Sequence, residues 1–212
     1  MAVFERIAEK RIVPVVVLDH EELAEPLAET LLGAGLDVME ITFRTAAAAA
    51  AIHRLSAQYP DLLLGAGTIL EPDQLRRAVE AGARFAVAPG LNECVVAAAQ
   101  EMGIAMVPGV MTPSEIEKAM SLECFTLKFF PAEQAGGVAM LKAFEGPYGH
   151  TGIKFIPTGG IHPANMRSYL ERPSVAAIGG SWMVEKKLIA ARDWGRIGQL
   201  TREALAAAGM KP

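Results

Sequence analysis

A chain of 212 residues can bury a sizeable core and fits one domain. Its net charge of −4 and pI near 5.6 leave no basic footprint for a nucleic-acid backbone. Although 51% of the residues are hydrophobic, no apolar run approaches the roughly 18 residues of a membrane span.

The opening segment, MAVFERIAEK, is amphipathic and lacks the apolar region and cleavage site of a secretory leader. A cytoplasmic protein with a short N-terminal helix is expected. From there, short apolar runs alternate with helical patterns: residues 12–18, 36–42, 62–68, 84–89, 105–110, 124–130, 153–158 and 175–180. Eight such repeats predict a compact α/β fold, a (β/α)8 TIM barrel. A doubly wound sheet is the alternative, but it wants a glycine-rich turn after the first strand, and none follows Leu18.

Punctuation between the runs supports the repeat. Pro26 fits the opening turn of the first long helix. Thr45 stands where it can cap the alanine-rich segment 46–51. Glu71-Pro72 and His162-Pro163 read as helix starts, and Thr112-Pro113-Ser114-Glu115 as a capping box. Gly33, Gly82 and Gly103 stand where helices end. Pro108 implies a bulge or an early stop in the fifth run. Cys94 and Cys124 are far apart in apolar sequence, so neither a disulfide nor a thiolate metal site is expected. His20, His53, His150 and His162 show no paired spacing, which disfavours a divalent metal.

The sixth run, Cys124-Phe-Thr-Leu-Lys128-Phe-Phe130, holds one lysine inside a buried strand. Alternation sets Cys124, Thr126, Lys128 and Phe130 on one face, with Phe125, Leu127 and Phe129 turned toward helices. Lysine is almost never fully buried unless paired. Either its head snorkels to solvent at the strand end, or desolvation frees the amine as a nucleophile able to form a Schiff base. In a barrel, active sites lie at the C-terminal ends of the strands. There the second strand carries Glu40, on one face with Val38 and Thr42, followed by Arg44. The third ends at Thr68, the fourth at Pro89, and the seventh at Thr158-Gly159-Gly160. The eighth ends Gly179-Gly180-Ser181-Trp182. A carboxylate inside the barrel is as expensive as the lysine, so Glu40 and Lys128 suggest each other as partners. Such a pair either plugs the barrel or relays protons around an imine. Arg44 offers a fork for a carboxylate, or is a surface arginine. The two Gly-Gly turns let backbone approach a phosphate, or are tight turns needing positive φ.

These segments resemble one family. Gly35-Leu-Asp-Val-Met-Glu40-Ile-Thr-Phe-Arg44 is similar to the signature around the catalytic glutamate of 2-dehydro-3-deoxy-phosphogluconate (KDPG) aldolase, a class I lyase family that also covers 4-hydroxy-2-oxoglutarate (KHG) aldolase. Lys128-Phe-Phe-Pro-Ala-Glu133 is similar to the signature around its Schiff-base lysine. The resemblance implies that Lys128 forms the imine, Glu40 is the general acid/base, and Arg44 and Thr68 hold the pyruvate carboxylate. Gly159, Gly160, Gly180 and Ser181 would hold the phosphate, and Pro89, Phe130 and Thr158 would shape the pocket. It further implies a homotrimer and no cofactor or metal. The expected reaction converts 2-dehydro-3-deoxy-6-phosphogluconate to pyruvate and glyceraldehyde 3-phosphate, with Thr158 favouring the gluconate over the galactonate series. Two other readings stand beside it: a phosphate-binding synthase or isomerase without an imine, and a non-catalytic binding barrel. Glu123, where the family usually has glycine, departs from the pattern.

Overall fold

The computed structural model describes residues 2–210. All the paired strands run parallel. They form one sheet in the order β5 (Ala105–Val107), β4 (Phe85–Val87), β3 (Leu63–Gly67), β2 (Val38–Thr42), β1 (Ile12–Val16), β9 (Ile178–Gly180), and a smaller sheet of β6 (Gly109–Val110), β7 (Thr126–Phe129) and β8 (Lys154–Pro157). Single bridges, Phe155 to Val175 and Thr158 to Gly179, tie β8 to the β9 side of the larger sheet. The helices α1 (Val3–Lys10), α2 (Ala24–Gly33), α3 (Ala48–Gln58), α4 (Pro72–Glu80), α5 (Glu93–Met102), α6 (Pro113–Ser121), α7 (Gly137–Tyr148), α8 (Met166–Leu170), α9 (Lys186–Ala190) and α10 (Trp194–Ala207) complete the chain.

Eight apolar runs therefore become nine strands, each shorter than its run. The extra one arises at Pro108, which has no N–H to give a ladder and divides the fifth run into β5 and β6. The carbonyl of Pro108 still accepts from Lys128 N–H at 2.9 Å.

Pleating sorts the side chains into two cores. Outward-facing Met39, Ile41, Leu64, Ala86, Leu127 and Phe129 pack with the helices; the Phe129 ring meets Phe144 edge-on at 5.9 Å. Inward-facing Val13, Val38, Leu63, Phe85, Val107, Ile156 and Ala177 make a separate apolar layer. The amphipathic α1 supplies Ile7 to this layer, with Val3 and Phe4 packed against it, so the N-terminal helix stoppers the end where the strands begin.

Most of the punctuation falls as expected. Pro26 lies in the first turn of α2, Pro72 opens α4, and Thr112 and Glu115 form the capping box of α6. One helix-to-strand joint recurs four times. Leu36 N–H bonds Leu31 O, Ala83 bonds Ala78, Ile104 bonds Ala99 and Cys124 bonds Ala119, at 2.9 to 3.0 Å. The left-handed residue in each is Gly35, Gly82, Gly103 and Glu123, with φ of 92°, 101°, 65° and 59°. The glycine of the first joint is thus Gly35, since Gly33 remains the last helical residue.

Three local expectations fail. Thr45 does not cap α3, because its hydroxyl donates to Leu18 O and the helix starts from Ala47. The turn after His162-Pro163 is closed by Asn165, whose Oδ1 accepts from His162 N–H, and α8 begins only at Met166. Phe125 precedes β7 and is 45% exposed, so it takes no part in the helix-facing core that Leu127 and Phe129 join.

Candidate active site

One pleat step above the apolar layer, the inward face changes character. Val38 gives way to Glu40, Ile156 to Thr158, Thr126 to Lys128 and Val13 to Val15. These residues line a cavity of about 300 Å³ at the C-terminal ends of the strands. Lys128 and Glu40, 6% and 3% exposed, face each other there with Nζ 3.8 Å from Oε1. That separation exceeds a hydrogen bond, and Glu40 Oε1 has no hydrogen-bond partner among the described residues. Lys128 Nζ also stands 5.2 Å from the centre of the Phe130 ring, an orientation that favours a cation over its face.

Missing side chains on adjacent strands make room for these groups. A Cβ at Gly67 would fall 2.0 Å from Glu40 Oε1, and one at Gly179 would fall 2.2 Å from Thr158 Oγ1. Beside Gly67, Thr68 adopts φ 58°. A β-branched residue in the left-handed region is strained by about 1–3 kcal/mol, and such strain clusters at functional sites.

The rim comes from five strand ends. Arg44, just beyond β2, is exposed, lines the cavity and makes no ion pair among the described residues. Thr68 and Pro89 follow β3 and β4. Gly159 and Gly160, with φ 100° and 76°, follow β8, and Gly180 and Ser181 stand at the end of β9. The N–H groups of Gly160, Ile161 and Ser181 donate to no acceptor among the described residues. All eleven site residues expected from the sequence therefore border one cavity. Sequence reasoning missed Val15 and Ile161, which line it too, as does Gly179 of the second Gly-Gly turn; period-two spacing from Val13 was a signal for Val15. Among the described residues no three His, Cys, Asp or Glu side chains gather as metal ligands. No helix of the described residues is long and apolar enough to cross a membrane.

A family model described as KDPG and KHG aldolase matches residues 3–200. The chain belongs to the KDPG/KHG aldolase family. The 2-dehydro-3-deoxy-phosphogluconate aldolase of Haemophilus influenzae is 47% identical over 203 residues, 96% of this chain and 95% of that protein. The KHG/KDPG aldolase of Escherichia coli is 45% identical over 92% of this chain and 90% of its own. A crystal structure of KDPG aldolase from Legionella pneumophila, with pyruvate captured at low pH as a covalent carbinolamine intermediate, matches with a TM-score of 0.91. It is 40% identical and covers 95% of this chain and 97% of that one. As a KDPG/KHG aldolase family member the protein is a carbon–carbon lyase, and its parallel curled sheet with outer helices is the fold of its relatives.

Proposed function

We propose that this aldolase cleaves 2-dehydro-3-deoxy-6-phosphogluconate reversibly to pyruvate and glyceraldehyde 3-phosphate through an imine on Lys128. The observation that carries the proposal is the buried Lys128–Glu40 pair, 3.8 Å apart and opening on the cavity. The amine attacks the C2 ketone to give a carbinolamine, and a proton delivered by Glu40 lets its hydroxyl leave as water. The protonated imine is an electron sink. Glu40, again a carboxylate, takes the proton of the C4 hydroxyl, the C3–C4 bond breaks, and its electron pair enters the imine as an enamine. Glyceraldehyde 3-phosphate departs. Protonation of the enamine carbon by Glu40 and addition of water then release pyruvate and the free lysine.

In this reading the unpaired Arg44 guanidinium and Thr68 hold the carboxylate of the keto acid, and the free N–H groups around Gly160 and Ser181 take the phosphate. Pro89, Phe130 and Thr158 shape the wall between. The walls hold no acidic cluster for a metal, and the reaction as written needs none. The shorter keto acid 4-hydroxy-2-oxoglutarate fits the same lysine end and is the second expected substrate. The two sheets are read here as one closed barrel of eight strands, β5 and β6 being halves of one strand; the Phe155–Val175 and Thr158–Gly179 bridges support that closure. A homotrimer in the cytoplasm completes the proposal, and light scattering tests the subunit count.

Borohydride added with pyruvate tests the chemistry: Lys128 gains a stable adduct seen by peptide mass, and Lys128→Met loses both adduct and cleavage. Cleavage by the Lys128→Met protein would overturn the imine.

A further inference from the structure

Glu133 has no part in the chemistry above, yet the structure holds it in place from three sides. It lies exposed on the segment that leaves β7 beyond Phe130. Tyr169 of α8, wholly buried, reaches up and donates its hydroxyl to Glu133 Oε1. Burial and that carboxylate push the phenol pKa upward, so the group stays a proton donor at neutral pH. The acceptor oxygen sits at the N-terminus of α7, where a Cβ on Gly137 would lie 3.4 Å from it and 3.2 Å from Tyr169 Oη. A helix N-terminus favours a carboxylate.

The third side is the Gly159-Gly160 turn. A Cβ at Gly160 would fall 2.6 Å from Glu133 Cγ. Glu133 N–H donates to Gly159 O at 3.1 Å, and Ala132 N–H to Thr158 O at 2.8 Å. Two successive glycines in the left-handed region are the least self-ordering backbone a chain can offer. Their shape comes from what holds them: the Glu133 stem on one side and, on the other, Asn165 Nδ2, which donates to Gly160 O at 3.0 Å.

We propose that Tyr169 is a positioning residue: by pinning Glu133 it holds the Gly159-Gly160 turn in the form that accepts the substrate's phosphate, and so sets the preference for phosphorylated keto acids. This rests on the phosphate being bound at that turn and at Ser181. Without the hydroxyl, the Glu133 stem is no longer held under the Gly159-Gly160 turn, which loses that support, while the lysine end is untouched.

Tyr169→Phe tests it. The KM for 2-dehydro-3-deoxy-6-phosphogluconate is expected to rise about tenfold, the effect of losing one hydrogen bond to a charged group. The pyruvate concentration that half-saturates borohydride trapping on Lys128 should not change. Glu133→Gln, which still accepts the hydrogen bond, should keep the wild-type KM, and Glu133→Ala should match Tyr169→Phe. An unchanged KM in Tyr169→Phe, or equal losses for phosphorylated substrate and pyruvate trapping, would overturn the proposal. Inorganic phosphate separates the two levels: if it does not compete with the phosphorylated substrate in the wild-type enzyme, the phosphate site itself is misplaced, whereas competition there with an unchanged KM in Tyr169→Phe refutes the positioning role alone.

Discussion

Replacing Gly67 by alanine adds one methyl group, and the structure fixes where it goes. Its carbon would sit 2.0 Å from Glu40 Oε1 and 2.7 Å from both Cδ and Cγ. Carbon and oxygen do not approach closer than about 3.2 Å, so the carboxylate must retreat by about 1 Å. The open space beside it is the cavity itself, so any retreat moves it from its place 3.8 Å from Lys128 Nζ. A displacement of that size in a reacting group costs about a hundredfold in rate, or about 2.7 kcal/mol of barrier. Steady-state pyruvate release should therefore show kcat down about a hundredfold in Gly67→Ala. Borohydride trapping of pyruvate, allowed to reach equilibrium, should still label Lys128 fully. Adding Glu40→Asp to Gly67→Ala shortens the acid by the one carbon the methyl displaced, and the pair should lose much less than the sum of the single losses. A wild-type kcat in Gly67→Ala, or strict additivity in the double variant, would refute the argument that the glycine makes room for the acid.

Three further outcomes are expected. Glu123→Gly places glycine at the one left-handed joint that lacks it, which should add about 0.5–1 kcal/mol and raise Tm by about 2–4 °C, read by calorimetry. Glu145→Gln should flatten the acid limb of stability. Arg172 and then Ser174 hold the Glu145 carboxyl below its ordinary 4.5, so its contribution is present above the unfolded value and fades as pH falls through the lower folded one; urea midpoints from about pH 6 to about pH 3 should drop less steeply in the variant. Extended dialysis against a chelator should leave cleavage at full rate, measured by pyruvate release, and a loss restored by a divalent ion would contradict metal-free chemistry.

Much of the fold could be read from the chain because strand periodicity and helix punctuation are local. The shared faces of Val38, Glu40 and Thr42, and of Thr126, Lys128 and Phe130, follow from alternation alone, and the interruption at Pro108 follows from a missing N–H. What stayed hidden depends on neighbours distant in sequence. Thr45 had an acceptor at Leu18 that competes with capping. Phe125 is β-prone, but it falls before the ladder begins and faces water. The need for glycine at positions 67 and 179 is invisible until Glu40 and Thr158 are set across from them. The Tyr169–Glu133 contact spans 36 residues and joins a helix to a loop, so no spacing rule announces it. Glu123 was visible as a departure, and its backbone explains what the departure costs: a φ of 59° that glycine would adopt freely.

Because α1 seals the floor under Ile7 and its apolar ring, the chamber is a blind alley with one doorway. Traffic through it has to queue. In the proposed reaction the three-carbon piece bonded to Lys128 sits at the inner end, so the aldehyde must leave before it, and in the synthetic direction pyruvate must enter first. Initial-rate patterns should accordingly be ordered, with the keto acid as leading reactant in condensation and trailing product in cleavage.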